Sequence, residues 1–349
     1  MKTAAKIYPN GGENPTIEYS DSSKANIGLC FSGGGSRALT CAWGQMLGLD
    51  TLGLMDKARY ISSVSGGTWA SSIYAFLPQH ISDRELLGSY YAPQNLSLSN
   101  EEGKFNICNF QSDYALGCVP NSMGLDGLIE EAGIFLLEHC LSSGDYKWLW
   151  AYLVSHHVLK PFGLQSKGKY AWSSSKSFSL SSNYVKTHFP SSAPAIHDLY
   201  LIKNSNRPFL IMNNNLMEFV GSNVIQLPNQ VTSIAGGVRG ESPTKGIVGG
   251  GLVESYGVCS HIDQSNADCS PVEVTIDQPY SLIDIVSTSS AFFAQFIAQE
   301  LVAHVKDDEK KKTLAKNIRG GVKEESITRL FEEIEKRDRR GRRENPTLH

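Results

Sequence analysis

The sequence predicts an α/β fold with a mainly parallel central sheet flanked by helices, and three observations predict it. A strand pattern, a glycine-rich turn and a helix pattern follow one another twice between residues 27 and 78. Strand patterns return after residue 206, and 41% of the 349 residues are hydrophobic, which is enough to bury a large core. Alternating strands and helices are typical of a parallel sheet with helices packed on its faces.

The first strand and helix lie on either side of a run of three glycines. The apolar run Ile27–Phe31 predicts a short buried strand that ends at the turn "SGGGSR". Beyond the turn, residues recur at helical spacing, so we expect a helix from near Arg37 to the region of Gly53. The residues at that spacing are Ala38, Cys41, Ala42, Gln45, Met46, Leu49 and Leu52.

The second strand and helix repeat this arrangement. The segment "YISSV", Tyr60–Val64, predicts a strand, and "TWASSIYAFL" predicts a helix that Pro78 stops. Ser65, Gly66 and Gly67 occupy the corner between them. The corner therefore places a serine where a buried strand turns sharply into a helix.

Patterns in the rest of the chain are less regular. Strands are predicted for "RPFLIMNNNLM" and "GIVGGGLV", and a loop or insertion for the serine-rich "YAWSSSKSFSLSSNY". Helices are predicted for Asp126–Ser143, Asp145–Phe162 and Tyr280–Val305.

The character of the sequence changes at Lys306. Residues 306–349 are mostly charged, so we predict a helical or disordered tail there and one main domain over residues 1–305. The basic run "RDRRGRR" is typical of a solvated tail, and contact with an anionic membrane surface is the alternative.

Composition and charge exclude several classes of protein. The net charge of −3 and the pI of about 6.3 provide no basic field, so we expect no nucleic-acid partner. No apolar run approaches the roughly 20 residues that span a bilayer, and the N-terminal residues lack the apolar segment of a signal peptide. We therefore expect a cytoplasmic protein. The seven cysteines form no CxxC pair, so neither a zinc site nor a disulfide scaffold is predicted, and no cofactor or metal is indicated.

The position of Ser65 suggests a catalytic nucleophile. A serine nucleophile must be exposed and activated, and the oxyanion that it creates must be stabilised. A strand-to-helix elbow exposes the hydroxyl, and Gly66 and Gly67 are the small neighbours that such a turn needs. Ser63 stands where the usual G-x-S-x-G motif has a glycine. An ordinary turn that happens to contain serine is the alternative interpretation.

The three glycines Gly33–Gly35 form a second candidate feature. A phosphate-binding loop would require a following Lys-Ser/Thr pair, and the dinucleotide pattern G-x-G-x-x-G is not formed. The turn is more typical of an oxyanion hole, where free backbone N–H groups stabilise negative charge. Arg37 follows at the start of the predicted helix, where it is available to neutralise a phosphate group or to brace the loop.

Together the two turns resemble those of a known family. "SGGGSRA", followed about 30 residues later by "SVSGGTW", resembles the patatin-like and cytosolic phospholipase A2-like lipases. The continuation "TWASSIYAFLP" is closer to the cytosolic phospholipase A2 branch. The resemblance implies the α/β catalytic fold of these lipases over residues 1–305, a serine–aspartate dyad, and hydrolysis of fatty-acyl esters of phospholipids or related lipids.

Four positions of this chain match functional positions of the family. The resemblance implies that Ser65 is the nucleophile, that Gly34 and Gly35 form the oxyanion hole, and that Arg37 lies near the substrate phosphate. It also implies a lipid substrate and transient contact with a membrane surface.

The catalytic acid of the family has no clear match. The family's aspartate stands in an Asp-Gly-Gly or Asp-Gly-Ala turn, and this chain contains neither; Asp126-Gly127 lies inside a helical pattern. Glu254 follows a strand and a glycine turn and is a weak candidate base, and Asp284 in "SLIDIV" is a weaker one. A loop position for Glu254, and a helix cap or a solvated position for Asp284, are the alternatives.

Several interpretations therefore stay open. The chain resembles a shortened lipase that is inactive alone, completed by a partner chain that supplies the acid, or dependent on a different base. His156-His157 offers another base, although adjacent residues on a helix face different sides. A catalytically inactive module that binds lipid or a protein is a second hypothesis, and an acyltransferase or thioesterase that uses Ser65 is a third.

Overall fold

The computed structural model describes the parts of the chain that form the predicted core and site. These are residues 2–9, 12–106, 149–165, 200–220, 223–238, 241–242, 246–247, 250–258, 260–262, 272–276 and 281–291. The chain divides into two compact units, residues 1–128 with 150–293, and residues 129–149 with 294–349. The fold described below is that of the first unit. The helix predicted over Asp126–Ser143, the serine-rich insertion and the charged tail lie outside the described residues.

Fourteen strands occur in the described residues. They are β1 (Lys2–Ala5), β2 (Ile7–Pro9), β3 (Gly28–Phe31), β4 (Tyr60–Val64), β5 (Leu96–Ser97), β6 (Phe105–Asn106), β7 (Phe209–Val220), β8 (Asn223–Thr232), β9 (Ala235–Val238), β10 (Glu241–Ser242), β11 (Gly246–Ile247), β12 (Gly251–Glu254), β13 (Ser260–Ile262) and β14 (Val272–Ile276).

Six α-helices accompany them in the same part of the chain. They are α1 (Pro15–Glu18), α2 (Gly35–Thr51), α3 (Gly66–Ala75), α4 (Asp83–Leu87), α5 (Leu149–Val154) and α6 (Leu282–Ser289). Short 3₁₀ turns lie at Met55–Lys57, Pro93–Asn95, Lys160–Phe162 and Ser255–Gly257, and one π-helical turn follows α5 at Ser155–Leu159. None of the described helices is long and apolar enough to cross a membrane.

The central sheet has seven strands in the order β2-β12-β9-β8-β7-β4-β3. The α/β fold class is confirmed, and the strands predicted around β3, β4, β7 and β12 are present. The sheet is mixed, however, where a mainly parallel one was expected. Pairs β3–β4 and β4–β7 are parallel, and the four remaining pairs are antiparallel, because the chain returns directly from β7 through β8 to β9.

Three smaller sheets also occur among the described residues. Strand β14 pairs antiparallel with both β1 and β13, β10 pairs with β11, and β5 pairs with β6. The β1–β14 pair joins the N-terminal residues to a segment about 270 positions later, and its buried Ala5, Val272 and Val274 form a small apolar cluster.

Helix α2 has a narrower buried face than its apolar pattern predicts. It runs over Gly35–Thr51, and its buried side chains include Leu39, Trp43 and Met46. Cys41, which was expected on the apolar face, is exposed, as is Leu52 just beyond the helix. The buried face of α2 is therefore centred on Trp43. The ring of Trp43 packs edge-on against that of Phe162 at a centroid distance of 5.8 Å.

Helix α3 is buried along its whole length. All ten of its residues are buried, and it contacts β4, β7, α2 and α6. Trp69 packs near Trp150 of α5 at a centroid distance of 6.3 Å. A helix that is enclosed on all sides tolerates serine and threonine only when their hydroxyl groups find hydrogen-bond partners.

A partly buried charge pair joins the segment before β7 to α4. Arg207 donates to both carboxylate oxygens of Asp83, at 2.7 and 2.6 Å, and its guanidinium lies 3.6 Å from the centre of the Tyr74 ring in α3. Burial alone would raise the pKa of Asp83, but the hydrogen bonds and charges of Arg207 and Lys203 together outweigh it and hold that pKa below its ordinary value. Three elements therefore meet at one guanidinium.

We predict that Arg207→Met lowers the free energy of unfolding by about 2–3 kcal/mol. Breaking a fully buried pair costs about 3–5 kcal/mol, and the effect is smaller here because the Asp83 side chain is 33% exposed. Urea denaturation of the purified chain measures it. Lys104→Met, which breaks the exposed Lys104–Glu101 pair, is the control and should leave the midpoint unchanged. Equal midpoints for both variants would contradict the prediction.

Candidate active site

The topology of the sheet brings the two glycine turns together. Strands β3 and β4 are parallel neighbours, with Phe31 opposite Ser63, so their carboxyl ends lie at the same edge of the sheet. The glycine turn follows β3 and Ser65 follows β4 at that edge. Ligands of open α/β sheets bind outside the carboxyl ends of the strands, so the candidate site lies where such sites are found.

Ser65 has a strained backbone. Its φ is 54° and its ψ is −126°, and no other non-glycine residue among those that the structure describes has a positive φ. A non-glycine residue in such a conformation costs about 1–3 kcal/mol and is retained only when its surroundings enforce it. Strand β4 ends at Val64 and α3 begins at Gly66, so this one residue makes the turn. This is the geometry of a nucleophile elbow.

The two glycines after Ser65 allow the two turns to touch. A Cβ atom added to Gly66 would lie 2.0 Å from the carbonyl oxygen of Gly35. A Cβ atom added to Gly67 would lie 2.6 Å from the carbonyl oxygen of Phe31. Any side chain at these positions would push the first turn of α3 away from the loop after β3. The glycines are therefore required for close backbone approach as well as for the turn.

Gly33, the first residue of the glycine turn, lies against the side chain of Ser65. A Cβ atom added to Gly33 would lie 2.9 Å from the Cβ atom and 3.5 Å from the Oγ atom of Ser65. Gly34 has φ 136° and Gly35 has φ 61°, values that disfavour other residues. Sequence analysis assigned roles to Gly34 and Gly35 and none to Gly33, although the three consecutive glycines were the available signal.

Helix α2 begins at this loop. Gly34 is the residue that precedes its first turn, and the first N–H groups of any α-helix have no acceptor within the helix. These N–H groups and the positive end of the helix dipole favour negative charge. Arg37 lies in the first turn of α2 with its side chain exposed.

Ser63 explains the departure from the G-x-S-x-G pattern. Its side chain is buried, and its hydroxyl oxygen accepts from Ser71 Oγ at 2.7 Å and from Thr68 Oγ1 at 3.2 Å, both in α3. The hydroxyl group therefore fits into the contact between β4 and α3 and forms part of a polar network beneath the elbow.

The last residue of α6 also contacts the elbow. Ser289 Oγ accepts from the backbone N–H of Ser65 at 2.9 Å, lies 3.0 Å from Thr68 Oγ1 and donates to the Asn213 carbonyl at 2.7 Å. Sequence analysis gave Ser289 no role. A separation of 224 residues leaves no local signal for this contact.

Glu254 lies far from the elbow. It ends β12, which is four strand positions from β4 in the sheet, or about 19 Å at roughly 4.8 Å per position. Its carboxylate accepts from the backbone N–H of Lys6 at 2.8 Å, so it extends the pairing between β2 and β12. The structure does not bring this sequence-predicted base to Ser65, because the sheet contains two hairpins between them.

Asp284 has the structural role that was the alternative in the sequence. It is the third residue of α6, and its carboxylate accepts from the N–H and the hydroxyl of Ser281 at 2.8 and 2.5 Å. Burial raises its pKa despite the opposing effect of these two hydrogen bonds. It therefore caps the helix whose other end contacts the elbow.

The histidine pair lies in the π-helical turn after α5. His157 is buried, and its ring packs against that of His156 at 5.2 Å, while His156 also packs against Tyr152 at 5.6 Å. Among the described residues no three histidine, cysteine, aspartate or glutamate side chains converge as a metal site would require. Asp126 lies outside the described residues.

Comparison with known proteins supports the resemblance. No family model matches the chain. Human cytosolic phospholipase A2 delta is 38% identical over 77 residues, which are 22% of this chain and 9% of that protein. Human cytosolic phospholipase A2 zeta is 51% identical over 46 residues, 13% of this chain and 5% of that protein. Over the stretches they cover, these matches confirm the similarity to cytosolic phospholipases A2.

A solved structure aligns with more of the chain. Human GIVD cytosolic phospholipase A2, in complex with methyl gamma-linolenyl fluorophosphonate and terbium chloride, aligns at a TM-score of 0.41 and 14% identity. The alignment covers 82% of this chain and 33% of that one. The chain therefore spans only part of the length of the proteins that it matches.

We predict that Gly66→Ala destabilises the chain by about 3 kcal/mol or more, because the new methyl group would overlap the Gly35 carbonyl. Gly44→Ala is the matched control, since it lies inside α2 with no atom within 4 Å of the added methyl group. That variant should be stabilised by about 0.5–1 kcal/mol. Thermal and urea unfolding compare the two, and similar shifts in both would contradict the close approach.

We also predict that Ser65→Gly is more stable than Ser65→Ala by about 1 kcal/mol. Both variants lack the hydroxyl group, but only glycine adopts the positive φ of this position without strain. Differential scanning calorimetry of the two proteins measures the difference. If alanine were the more stable variant, the elbow would not have the strained geometry described above.

Proposed function

We propose that the chain is a serine acyl hydrolase that acts on acyl esters of phospholipids or related lipids. In this proposal Ser65 is the nucleophile, the N–H groups of Gly34 and Gly35 form the oxyanion hole, and Arg37 binds the phosphate of the substrate. The observation that carries the proposal is the strained Ser65 at the strand–helix corner with the glycine backbone packed directly against it.

The proposed reaction proceeds in two steps. Ser65 Oγ attacks the ester carbonyl carbon while its proton passes to a base, and N–H groups of the glycine loop donate hydrogen bonds to the oxyanion. The C–O bond to the alcohol then breaks, the alcohol leaves with a proton from the protonated base, and an acyl-serine remains. Water hydrolyses this ester by the same route and releases the fatty acid.

Two features support a lipid substrate. The similar proteins are named as phospholipases A2, which act on phospholipids, although the matches cover a small part of those proteins. Arg37 is exposed in the first turn of α2, next to free N–H groups, where a cation and a helix N-terminus both favour a phosphate. Because the similar proteins are named cytosolic, we further propose that the protein lies in the cytoplasm and makes transient contact with lipid surfaces.

The proposed reaction requires a base, and neither carboxylate that the sequence suggested takes this role. Glu254 accepts from the backbone N–H of Lys6, just before β2, and Asp284 caps α6, so neither is assigned this role. We assign it to a carboxylate of this chain outside the described residues. A serine–carboxylate dyad of this kind requires no metal.

Labelling with a fluorophosphonate probe tests the proposal. An activated serine attacks the phosphorus atom and expels fluoride, so we predict that the purified chain is labelled and that Ser65→Ala reduces the labelling rate at least 100-fold. Ser72→Ala is the matched control, because Ser72 is buried in the same helix and its hydroxyl binds only its own turn, at the Trp69 carbonyl. It should be labelled at the parental rate.

The outcomes separate the proposal from its alternatives. Labelling that persists in Ser65→Ala would contradict the nucleophile assignment. Absence of labelling in a folded parent would overturn the self-contained hydrolase. It would favour a catalytically inactive module, which the structural roles of Glu254 and Asp284 also favour, and co-flotation with phosphatidylcholine vesicles would then test lipid binding.

A further inference from the structure

We propose that Ser289 is a positioning residue for Ser65, and that its hydroxyl group sets the backbone conformation of the elbow. The catalytic part of this inference rests on the proposed function. The structural part does not, because it concerns the hydrogen bonds of the Ser65 backbone alone.

Ser289 stands where the pairing of two parallel strands ends. The pairing of β4 with β7 runs from Tyr60 opposite Phe209 to Val64 opposite Asn213. Beyond this pair the chain turns away into α3, so the Ser65 N–H and the Asn213 C=O separate instead of pairing with each other. The Ser289 hydroxyl lies between them, accepting from the N–H at 2.9 Å and donating to the carbonyl at 2.7 Å.

The proton of the Ser289 hydroxyl has one available position. A carbonyl oxygen only accepts, so the hydroxyl proton must be directed at the Asn213 carbonyl. Its lone pairs are left to accept, and one accepts from the Ser65 N–H; Thr68 Oγ1, whose single proton is directed at Ser63, lies 3.0 Å away. From its buried position the hydroxyl thus links the Ser65 N–H to the Asn213 carbonyl.

These bonds act on the torsion angles of Ser65. The direction of its N–H is set by Ser289 on one side, and its C=O accepts from the Trp69 N–H at 3.1 Å on the other. Holding both peptide groups that flank one residue restricts its φ and ψ together. A positive φ at serine needs such restraint, because the relaxed alternatives are lower in energy.

The position of the nucleophile follows from this restraint. The Oγ atom of Ser65 is carried by the Cα atom between the two restrained peptides, and the glycine loop lies against it at Gly33. A small rotation of φ would move Oγ away from this loop, and misplacement by about 1 Å costs a reaction roughly 100-fold in rate. Loss of the Ser289 hydroxyl should therefore impair the reaction step more than probe binding.

The test compares Ser289→Ala with Ser290→Ala. Ser290 is the next residue and is also buried. Its hydroxyl binds Trp150 Nε1, the Ser287 carbonyl and the Val286 carbonyl, with no bond to the elbow. Hydrogen–deuterium exchange of the full chain, resolved to single amides by fragmentation, measures the Ser65 N–H. Amides in the second half of α3 serve as the internal reference for overall unfolding.

We expect the Ser65 amide to exchange at least tenfold faster in Ser289→Ala and at the parental rate in Ser290→Ala, with the reference amides unchanged. With a fluorophosphonate probe, Ser289→Ala should lower the maximal inactivation rate at least tenfold and leave the half-saturating probe concentration unchanged. Ser290→Ala should leave both unchanged.

Each result decides one part of the inference. Unchanged exchange at Ser65 in Ser289→Ala would overturn it, whatever the labelling shows. Faster exchange with parental labelling kinetics would overturn the catalytic role and leave a purely structural one. Faster exchange in a protein whose parent is not labelled at all would support the backbone role and reject the proposed function instead.

Discussion

The structure depends on the close approach of two backbones at the carboxyl ends of β3 and β4. The first turn of α3 lies directly on the glycine loop that precedes α2, with no room for a Cβ atom at Gly66 or Gly67. Because the two strands are parallel neighbours, this contact joins both strand–helix units at one edge of the sheet. The strained conformation of Ser65 is the geometric result of turning the chain within that space.

The polar residues of the core support this contact. Helix α3 is buried on every side, so its serine and threonine side chains must find partners inside the protein. They find them in Ser63 below the elbow and in Ser289 at the end of α6. The network thus stabilises the buried helix and at the same time restrains the backbone at the candidate nucleophile. The same hydrogen bonds therefore belong both to the core around α3 and to the candidate active site.

The catalytic acid could not be identified from sequence patterns. Glu254 and Asp284 were chosen because each is a carboxylate in an apolar or glycine-rich setting. One instead accepts from the backbone N–H of Lys6 between β1 and β2, and the other caps a helix, and both are common ways to satisfy a carboxylate near the protein interior. Composition of the local segment cannot distinguish these roles from catalysis, because all of them place an acidic residue beside apolar ones.

The sequence by itself determined the two strand–turn–helix units, the bounds of β4 and the serine at the corner. These features depend on the local spacing of apolar residues and on the requirement for glycine at tight turns. Only the tertiary structure decided the mixed sheet, since the Asn223–Val238 strands contain a proline and glycines that obscure a strand pattern. It also decided the roles of Ser289, Asn213 and Glu254. Their partners lie 76 to 248 residues away, and contacts at such separations are set by chain topology, which leaves no periodic signal in the sequence.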